Sequence, residues 1–548
     1  MKYDDILYKI GEFGIYQKCI FLLVSTCTLF APMNVVTQVF TAGETDHWCD
    51  VQVWNNCTAC QGSELQCEAL RQNLSIPINE EGVLDQCNQY DIETVDDCSE
   101  VLSQGVWNAS NDIIPCDNGW VYDKSQYDST IISDFDLVCH KQSFPGIAQT
   151  VYFSGILVGS VSYGTLSDKL GRRFALFAAT IGTGVFGILV TSSNSFLMYT
   201  VMRFFLAACA HSTFLMGFVL VSEMVGPSKR VFTGIFIEFF FAFGIMFLAI
   251  LAYFIRKWRV LQLVTTLPGI MTLLLLPLIP ESPRWLISKG RYEEARVIIR
   301  RTARINGVEL TDQYLEQMEE HDLDTPAQTE KGSSLFQLFR LSSMRWRTCN
   351  LLYNWFVQSL LYYGLIFYTG SLGVNIYLGF LISGAVEIIG YTSSIFLIEA
   401  IGRKLSLSGL LLLVGISCLL VMFTHGVVKF VIGMIGKSAI SATFGIIFVF
   451  TAELFPTPLR GVMLGLCSMT SRIGGMVCPL IFILAHRWPL LPLSLFTVAS
   501  IVAAAITLLL PETKGVPLPE TILEAEALSY RGRRAPLPTT SDEELGLK

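Results

Sequence analysis

The sequence predicts an all-α membrane protein: twelve transmembrane helices in two six-helix halves, with a large extracellular loop after helix 1. Three observations predict it: long uncharged apolar runs, a large acidic segment after the first run, and an internal repeat. The chain has 548 residues, of which 52% are hydrophobic and 15% charged. A soluble domain carries about 25% charged residues. Here the apolar runs alternate with short charged connectors. About 20 residues at a helical rise of about 1.5 Å cross the hydrocarbon core, so each long run reads as a span. The runs are continuous rather than alternating, which selects helices over barrel strands.

The spans are expected at 15–40, 145–166, 174–194, 197–221, 231–255, 260–280, 349–370, 377–399, 405–424, 427–452, 462–486 and 490–510. This gives an N-terminal segment 1–14, a first half 15–280, a linker 281–348, a second half 349–510 and a tail 511–548. The first run follows a mixed-charge stretch (Lys2, Asp4, Asp5, Lys9, Glu12) and lacks a small-residue cleavage site, so a span is expected rather than a signal peptide. The tail is polar and is expected to be disordered.

Segment 41–144 holds 19 Asp and Glu but three Lys and Arg, whereas the linker 281–348 holds 11 Lys and Arg. Basic residues stay on the cytosolic side. The segment also contains Cys49, Cys57, Cys60, Cys67, Cys87, Cys98, Cys116 and Cys139, and the sequons at Asn56, Asn73 and Asn108. An even cysteine set with glycosylation acceptors in one polar segment points to a disulfide-bonded, glycosylated ectodomain. Metal binding is the alternative for the cysteines, and chance for the sequons. One span precedes this segment and twelve is even, so both termini are expected in the cytosol. The pairing of the cysteines stays open.

The chain repeats itself at an offset of 231 or 230 residues. Asp168-Lys-Leu-Gly171-Arg172-Arg173 matches Glu399-Ala-Ile-Gly402-Arg403-Lys404. Glu223-Met-Val-Gly-Pro227-Ser-Lys-Arg230 matches Glu453-Leu-Phe-Pro-Thr-Pro458-Leu-Arg460, and Pro280-Glu281 matches Pro511-Glu512. Gly171 and Gly402 allow tight turns between spans. The acids before the turns and the arginines after them are expected to form charge-assisted pairs that gate one side, or simply to anchor the turns at the membrane surface.

Gly164-Thr-Leu-Ser-Asp168-Lys-Leu-Gly171-Arg172-Arg173 resembles the loop signature of the major facilitator superfamily, whose halves are parallel six-span repeats. The cysteine-rich segment, Glu281-Ser-Pro-Arg284-Trp285-Leu, Thr451-Ala-Glu-Leu-Phe-Pro-Thr457 and Pro511-Glu-Thr-Lys514-Gly narrow the resemblance to the organic ion transporters of solute carrier family 22. Trp355-Phe-Val-Gln-Ser-Leu-Leu-Tyr362-Tyr363-Gly, Ser393-Ser-Ile-Phe396 and Ser471-Arg472-Ile-Gly-Gly475 look most like the urate and nicotinate exchanging branch. The resemblance implies transport of small organic ions across the plasma membrane.

Charges inside spans are costly and mark function by default. Arg472 lies near the middle of span 11, where its planar fork suits a carboxylate. The alternative is a structural pair with Glu387 of span 8. In the resembling family, cation carriers place an acid where Arg472 stands, and anion and carnitine carriers an arginine. Tyr391 stands where anion carriers often have a basic residue and carnitine carriers a tyrosine. Ile389-Gly390 departs from the usual Pro-Ala. Lys437 is a second cation for the substrate, or a partner of Glu387. Glu238 is expected in a helix-to-helix hydrogen bond, with a coupling carboxylate as the alternative; His211 is expected to pack and Arg203 to sit in a structural pair. Trp355, Tyr362, Tyr363 and Phe444 enter as candidate substrate aromatics through the resemblance, and Trp355 and Tyr362, seven apart, share a helix face.

The expected function is alternating-access transport of small organic anions, by exchange or facilitation. A carnitine-like zwitterion ranks second, an organic cation third, and a channel or receptor is the different-class rival. No ATP-binding loop or catalytic set is present in the sequence, so no enzyme, cofactor, metal site or nucleic-acid partner is expected. The expected partners are the organic ion, an exchanged counter-anion and the bilayer, with the monomer as the working unit.

Overall fold

The computed structural model describes residues 3–51, 72–78, 84–91, 112–116, 118–310, 342–516, 518–519 and 522–527. Among them, nine helices are long and apolar enough to cross a membrane, and Trp258–Leu274 and Leu491–Thr507 are shorter apolar helices. Ser342–Tyr368 completes a set of twelve. Span 1 is Ile15–Thr41, span 2 Phe144–Leu170, span 3 Arg172–Thr191, span 4 Phe196–Met224, span 5 Arg230–Phe254 and span 6 begins with Trp258–Met271. Span 7 is Ser342–Tyr368, span 8 Ile376–Ala400, span 9 Arg403–Val421, span 10 Gly426–Leu454, span 11 Thr457–Ala485 and span 12 Leu491–Thr507. Span 7 starts seven residues before the expected 349, because its first two turns carry Arg345 and Arg347 and so escape an apolar-run criterion.

Packing repeats with the sequence. Spans 2 and 4 pack as 8 and 10 do, 3 and 4 as 9 and 10, 3 and 6 as 9 and 12, and 1 and 5 as 7 and 11. Small residues permit the close approaches, as expected where lipid removes a hydrophobic drive between helices. A Cβ on Gly159 would lie 2.4 Å from the Ala208 carbonyl oxygen, and one on Gly390 would lie 2.4 Å from that of Ser438. Gly159 and Gly390 are 231 residues apart. The departure at Gly390 thus has a packing cause: span 10 passes against its backbone.

The halves meet chiefly along two seams, span 2 on span 11 and span 5 on span 8. At the end that carries segment 41–144 the seams are tight. Phe40 stacks on Tyr377 with ring centroids 5.8 Å apart, Tyr253 meets Tyr377 edge-on at 5.5 Å, and Gly146 abuts Ile483. At the opposite end, which carries the repeated motifs, each ion pair among the described residues stays within one half. Among the described residues, side chains therefore close the seams at the loop end, and no ion pair joins the halves at the motif end.

In the loop segment His47–Cys49 pairs antiparallel with Trp120–Tyr122, and Asn88–Tyr90 with Ile113–Pro115. Disulfides join Cys49 to Cys116 and Cys87 to Cys139. Cys57, Cys60, Cys67, Cys98, Asn56 and Asn108 lie outside the described residues. Asn73 is exposed. The segment is seated on the first half by Asp134, which accepts from Trp258 Nε1 at 2.8 Å and pairs with Arg259 at 3.3 Å.

The short helices at the motif end fall outside the expected spans. Tyr3–Ile10 packs Ile6, Leu7 and Ile10 on Ile299 and Ala303 of Tyr292–Ile305. Asn306 ties the pair to span 1, donating to the Ile10 carbonyl and the Gln17 side chain at 2.9 Å each. Within the tail, expected to be disordered, Ile522–Ala527 is helical, and buried Arg347 donates to the Ala525 carbonyl at 2.5 Å. The cause is an arginine on span 7 that needs carbonyl acceptors.

Candidate substrate site

The eight residues predicted to bind substrate come together between spans 7, 8, 10 and 11. Tyr362 is the hub. Its hydroxyl donates to Glu387 Oε2 at 3.1 Å, and Lys437 Nζ lies 3.6 Å from its ring centroid. Tyr363, Phe444 and Phe241 ring it at 5.3, 5.9 and 6.3 Å. Tyr391 sits beside its hydroxyl. Trp355 touches Phe444 and Phe448 and donates Nε1 to Thr451 at 3.0 Å.

The two central cations have opposite surroundings. Lys437 and Glu387 are both 0% exposed, with Nζ 2.8 Å from Oε1. The two charges thus meet at ion-pair distance in a site closed to solvent. Such a pair loses heavily if one member is removed, because the other is left charged and buried. Arg472 is only partly buried, and among the described residues no carboxylate lies within 4 Å of it. Its Nε is buried without a hydrogen-bond partner. The Tyr363 hydroxyl sits beside it, and Glu238 and His211 are within electrostatic reach. The pairing of Arg472 with Glu387, the structural alternative, does not occur: Lys437 occupies that carboxylate.

Glu238 of span 5 makes no hydrogen bond or ion pair among the described residues, so the expected helix-to-helix hydrogen bond is absent. His211 is buried against Phe214, with Nε2 unpartnered. Arg203 is fully buried and has no acid partner among the described residues. It donates to the Tyr199 hydroxyl at 3.0 Å and Gln149 Oε1 at 3.2 Å, with Tyr152 under its guanidinium at 4.8 Å. Two tyrosines and an amide replace the expected acid, since polar and π partners also hold a buried cation. Sequence reasoning passed over Gln358, which donates to the Ile440 carbonyl at 2.8 Å and accepts from Thr443 at 2.7 Å, locking span 7 to span 10. A glutamine inside an apolar run is the signal that marks it.

The predicted gating residues form two clusters. In the first half Arg172 pairs with Asp168 at 3.0 Å and Glu223 at 2.9 Å. The Glu281 carboxylate accepts from the backbone N–H groups of Arg172 at 2.9 Å and Arg173 at 3.2 Å. In the second half Arg403 pairs with Glu453 at 2.8 Å, and Glu512 accepts from the backbone of Arg403 at 2.9 Å and Lys404 at 3.1 Å. Glu281 and Glu512 thus cap the first turns of spans 3 and 9, where unpaired N–H groups attract an anion. Burial pushes the Glu281 carboxyl up, against the pull of those N–H groups. Gly171 and Gly402, at φ 105° and 101°, let the carboxylates in: a Cβ there would lie 2.3 Å from Glu281 Oε2 and 2.8 Å from Glu512 Oε2.

Three expected pairings are missing from those clusters. Glu399 is exposed and makes no ion pair with Arg403. Arg230 reaches Asp4 at 2.6 Å rather than Glu223, because the N-terminal helix docks there. Arg460 has Nε and one terminal nitrogen buried without a hydrogen bond, although Glu453 is within electrostatic reach.

A family model described as "Sugar (and other) transporter" matches residues 118–522. The chain is 37% identical to the organic cation transporter protein of Drosophila melanogaster, over 100% of this chain and 98% of that protein. It is 33% identical to solute carrier family 22 member 3 of Rattus norvegicus, over 96% of each. It is 32% identical to solute carrier family 22 member 13 of Homo sapiens, over 100% of this chain and 97% of that one. Its fold is similar to the inward-open xylose transporter XylE from E. coli, with a TM-score of 0.62 and 17% identity, over 94% of this chain and 100% of that one. Solute carrier family 22 consists of major facilitator transporters of organic ions, and this chain belongs to it.

Proposed function

We propose that this chain carries small organic ions bearing a carboxylate, anions first, across the plasma membrane by alternating access. The observation that carries the reading is Arg472: a guanidinium on a central span with no carboxylate within 4 Å among the described residues. A mid-span arginine costs about 2.5–3.5 kcal/mol on insertion scales, which a bound carboxylate offsets through paired charge-assisted hydrogen bonds. Tyr362, Tyr363, Tyr391, Phe444 and Trp355 supply flat walls for the substrate body, and the sparse charges orient it. The Lys437–Glu387 pair sets the shape of that wall.

Segment 41–144 faces outside, with glycosylation at its sequons, and both termini face the cytosol. The Arg172 and Arg403 clusters gate the cytosolic end. Each holds span ends of its own half together, so the halves move as bodies over the two seams. The emptied site returns either loaded with a second anion, which is exchange, or unloaded, which gives net transport. The protein acts as a monomer in the bilayer.

The test is uptake of labelled urate, nicotinate, carnitine and a tetraalkylammonium cation in cells, with Arg472→Asp beside the wild type at matched surface level. The expected result is carboxylate uptake by the wild type and its loss in the variant. A wild type that takes only the tetraalkylammonium ion overturns the reading. That organic cation reading is the second one, favoured by the name of the Drosophila relative that is 37% identical.

A further inference from the structure

Glu238 is the one acid of spans 1 to 6 that lies well inside a span rather than at its end. It is half-buried and makes no hydrogen bond or ion pair among the described residues. An acid this deep is costly when charged, and such residues mark ion and proton pathways. Its neighbours define what it can do. Glu387 of span 8 and Arg472 of span 11 face it electrostatically, as do Tyr391 of span 8 and Tyr362 and Tyr363 of span 7. Spans 1 and 6, which also pack beside span 5, carry charges only near their ends, at Lys18 and Arg259. On span 4, His211 faces Arg472, and Arg203 is held by Tyr199 and Gln149.

Count the formal charge at the site. Lys437 and Glu387 cancel as a pair. Arg472 is left with one positive charge and Glu238 with one negative, and they do not meet as an ion pair. A carboxylate bound at Arg472 therefore places a second negative charge before Glu238 with nothing left to neutralise it. A proton on Glu238 removes that repulsion. Binding of the anion and binding of the proton then favour each other, by the same factor in each direction.

We propose that Glu238 is the proton-coupling residue of this transporter, taking up one proton with each organic anion that binds Arg472 and releasing it with that anion on the other side. The step is a protonation of the Glu238 carboxylate from the aqueous phase, reversed on release, with no other bond made or broken. The position explains the coupling. Glu238 sits on span 5, whose seam with span 8 is one of the two surfaces over which the halves move, and Glu387 and Tyr391 face it across that seam. The proposal rests on the carboxylate reading of Arg472 and adds the coupling ion to it.

The test is nicotinate uptake into cells with outside pH 5.5 or 7.5, with and without a proton ionophore, corrected for cells lacking the protein. Wild type, Glu238→Gln, Glu238→Asp and Arg472→Gln are compared at matched surface level. The expected result is that an inward proton gradient raises wild-type uptake severalfold and the ionophore abolishes the rise. Glu238→Gln loses the gradient dependence but keeps exchange of labelled for unlabelled nicotinate, and Glu238→Asp retains both. Nicotinate uptake indifferent to the gradient in the wild type, or equal gradient dependence in Glu238→Gln, overturns the proposal. No nicotinate uptake at any pH sinks the carboxylate reading itself, which is a separate outcome. A second readout needs no variant: adding nicotinate to purified wild type in weakly buffered solution, over a series of starting pH values from 6 to 9, takes up protons, approaching one per anion bound where Glu238 is ionised before binding, and no uptake at any pH overturns the coupling.

Discussion

Lys437 and Arg472 are both cations deep in second-half spans, and their surroundings differ in every respect that sets function. Lys437 is fully buried, 2.8 Å from Glu387 and packed over the Tyr362 ring. Arg472 is partly exposed, with a tyrosine hydroxyl beside it and Nε unpartnered. A buried pair satisfied inside the protein has little left to offer a ligand, whereas an arginine without a carboxylate partner keeps its charge for one. On the carboxylate reading proposed above, the difference gives Lys437 to architecture and Arg472 to recognition.

The largest expected effect comes from breaking the pair. Glu387→Gln leaves Lys437 charged and alone, at a cost of about 3–5 kcal/mol. Thermal unfolding of the purified protein should show a large fall, with little protein at the cell surface. The double variant Glu387→Gln with Lys437→Met removes both charges and should recover most of that loss, because a buried pair replaced by apolar groups is often neutral. If the double variant is as unstable as the single one, the pair is not the structural element described here.

Arg472→Gln inverts the pattern. With no carboxylate within 4 Å among the described residues to lose a direct partner, stability should change by less than about 1 kcal/mol, and relief of the buried Nε works in its favour. Carboxylate uptake should fall at least about tenfold, since a hydrogen bond to a charged group is worth about 1.5–3 kcal/mol. Equal loss of stability in Arg472→Gln and Glu387→Gln would erase the distinction between the two cations.

How much of this was legible in the sequence depends on the range of the interaction. The apolar runs and the 231-residue repeat report local requirements, so the spans, the two halves and the glycines at 171 and 402 could be read from the chain. Gly390 looked like a departure until span 10 was seen to need its surface; a helix crossing leaves no local trace. Partner choice was not legible. Glu387 could face Lys437 or Arg472 as far as the sequence shows, because a helix rotates each side chain by about 100° per residue and packing sets the absolute angle. The same blindness misplaced Arg230, whose partner Asp4 is 226 residues away, and Arg203, whose cage contains no acid. Tyr3–Ile10 and Ile522–Ala527 are too short to show a helical period.

The two adjacent tyrosines sharpen the comparison at the smallest scale. Tyr362 and Tyr363 lose one hydroxyl each as phenylalanine, yet one hydroxyl serves Glu387 at 3.1 Å and the other sits beside Arg472. Tyr362→Phe removes a neutral donor to a buried carboxylate that keeps its lysine. It should cost about 1 kcal/mol in thermal unfolding, with the KM for nicotinate unchanged. Tyr363→Phe frees a position beside the arginine at which we propose that the substrate carboxylate binds. It removes a hydroxyl and no packing, so it should cost no more than about 1 kcal/mol in unfolding, while the KM shifts severalfold. If the KM shift falls on Tyr362 and the stability loss on Tyr363, recognition belongs to the Lys437 side of the site, and the roles of the two cations are exchanged.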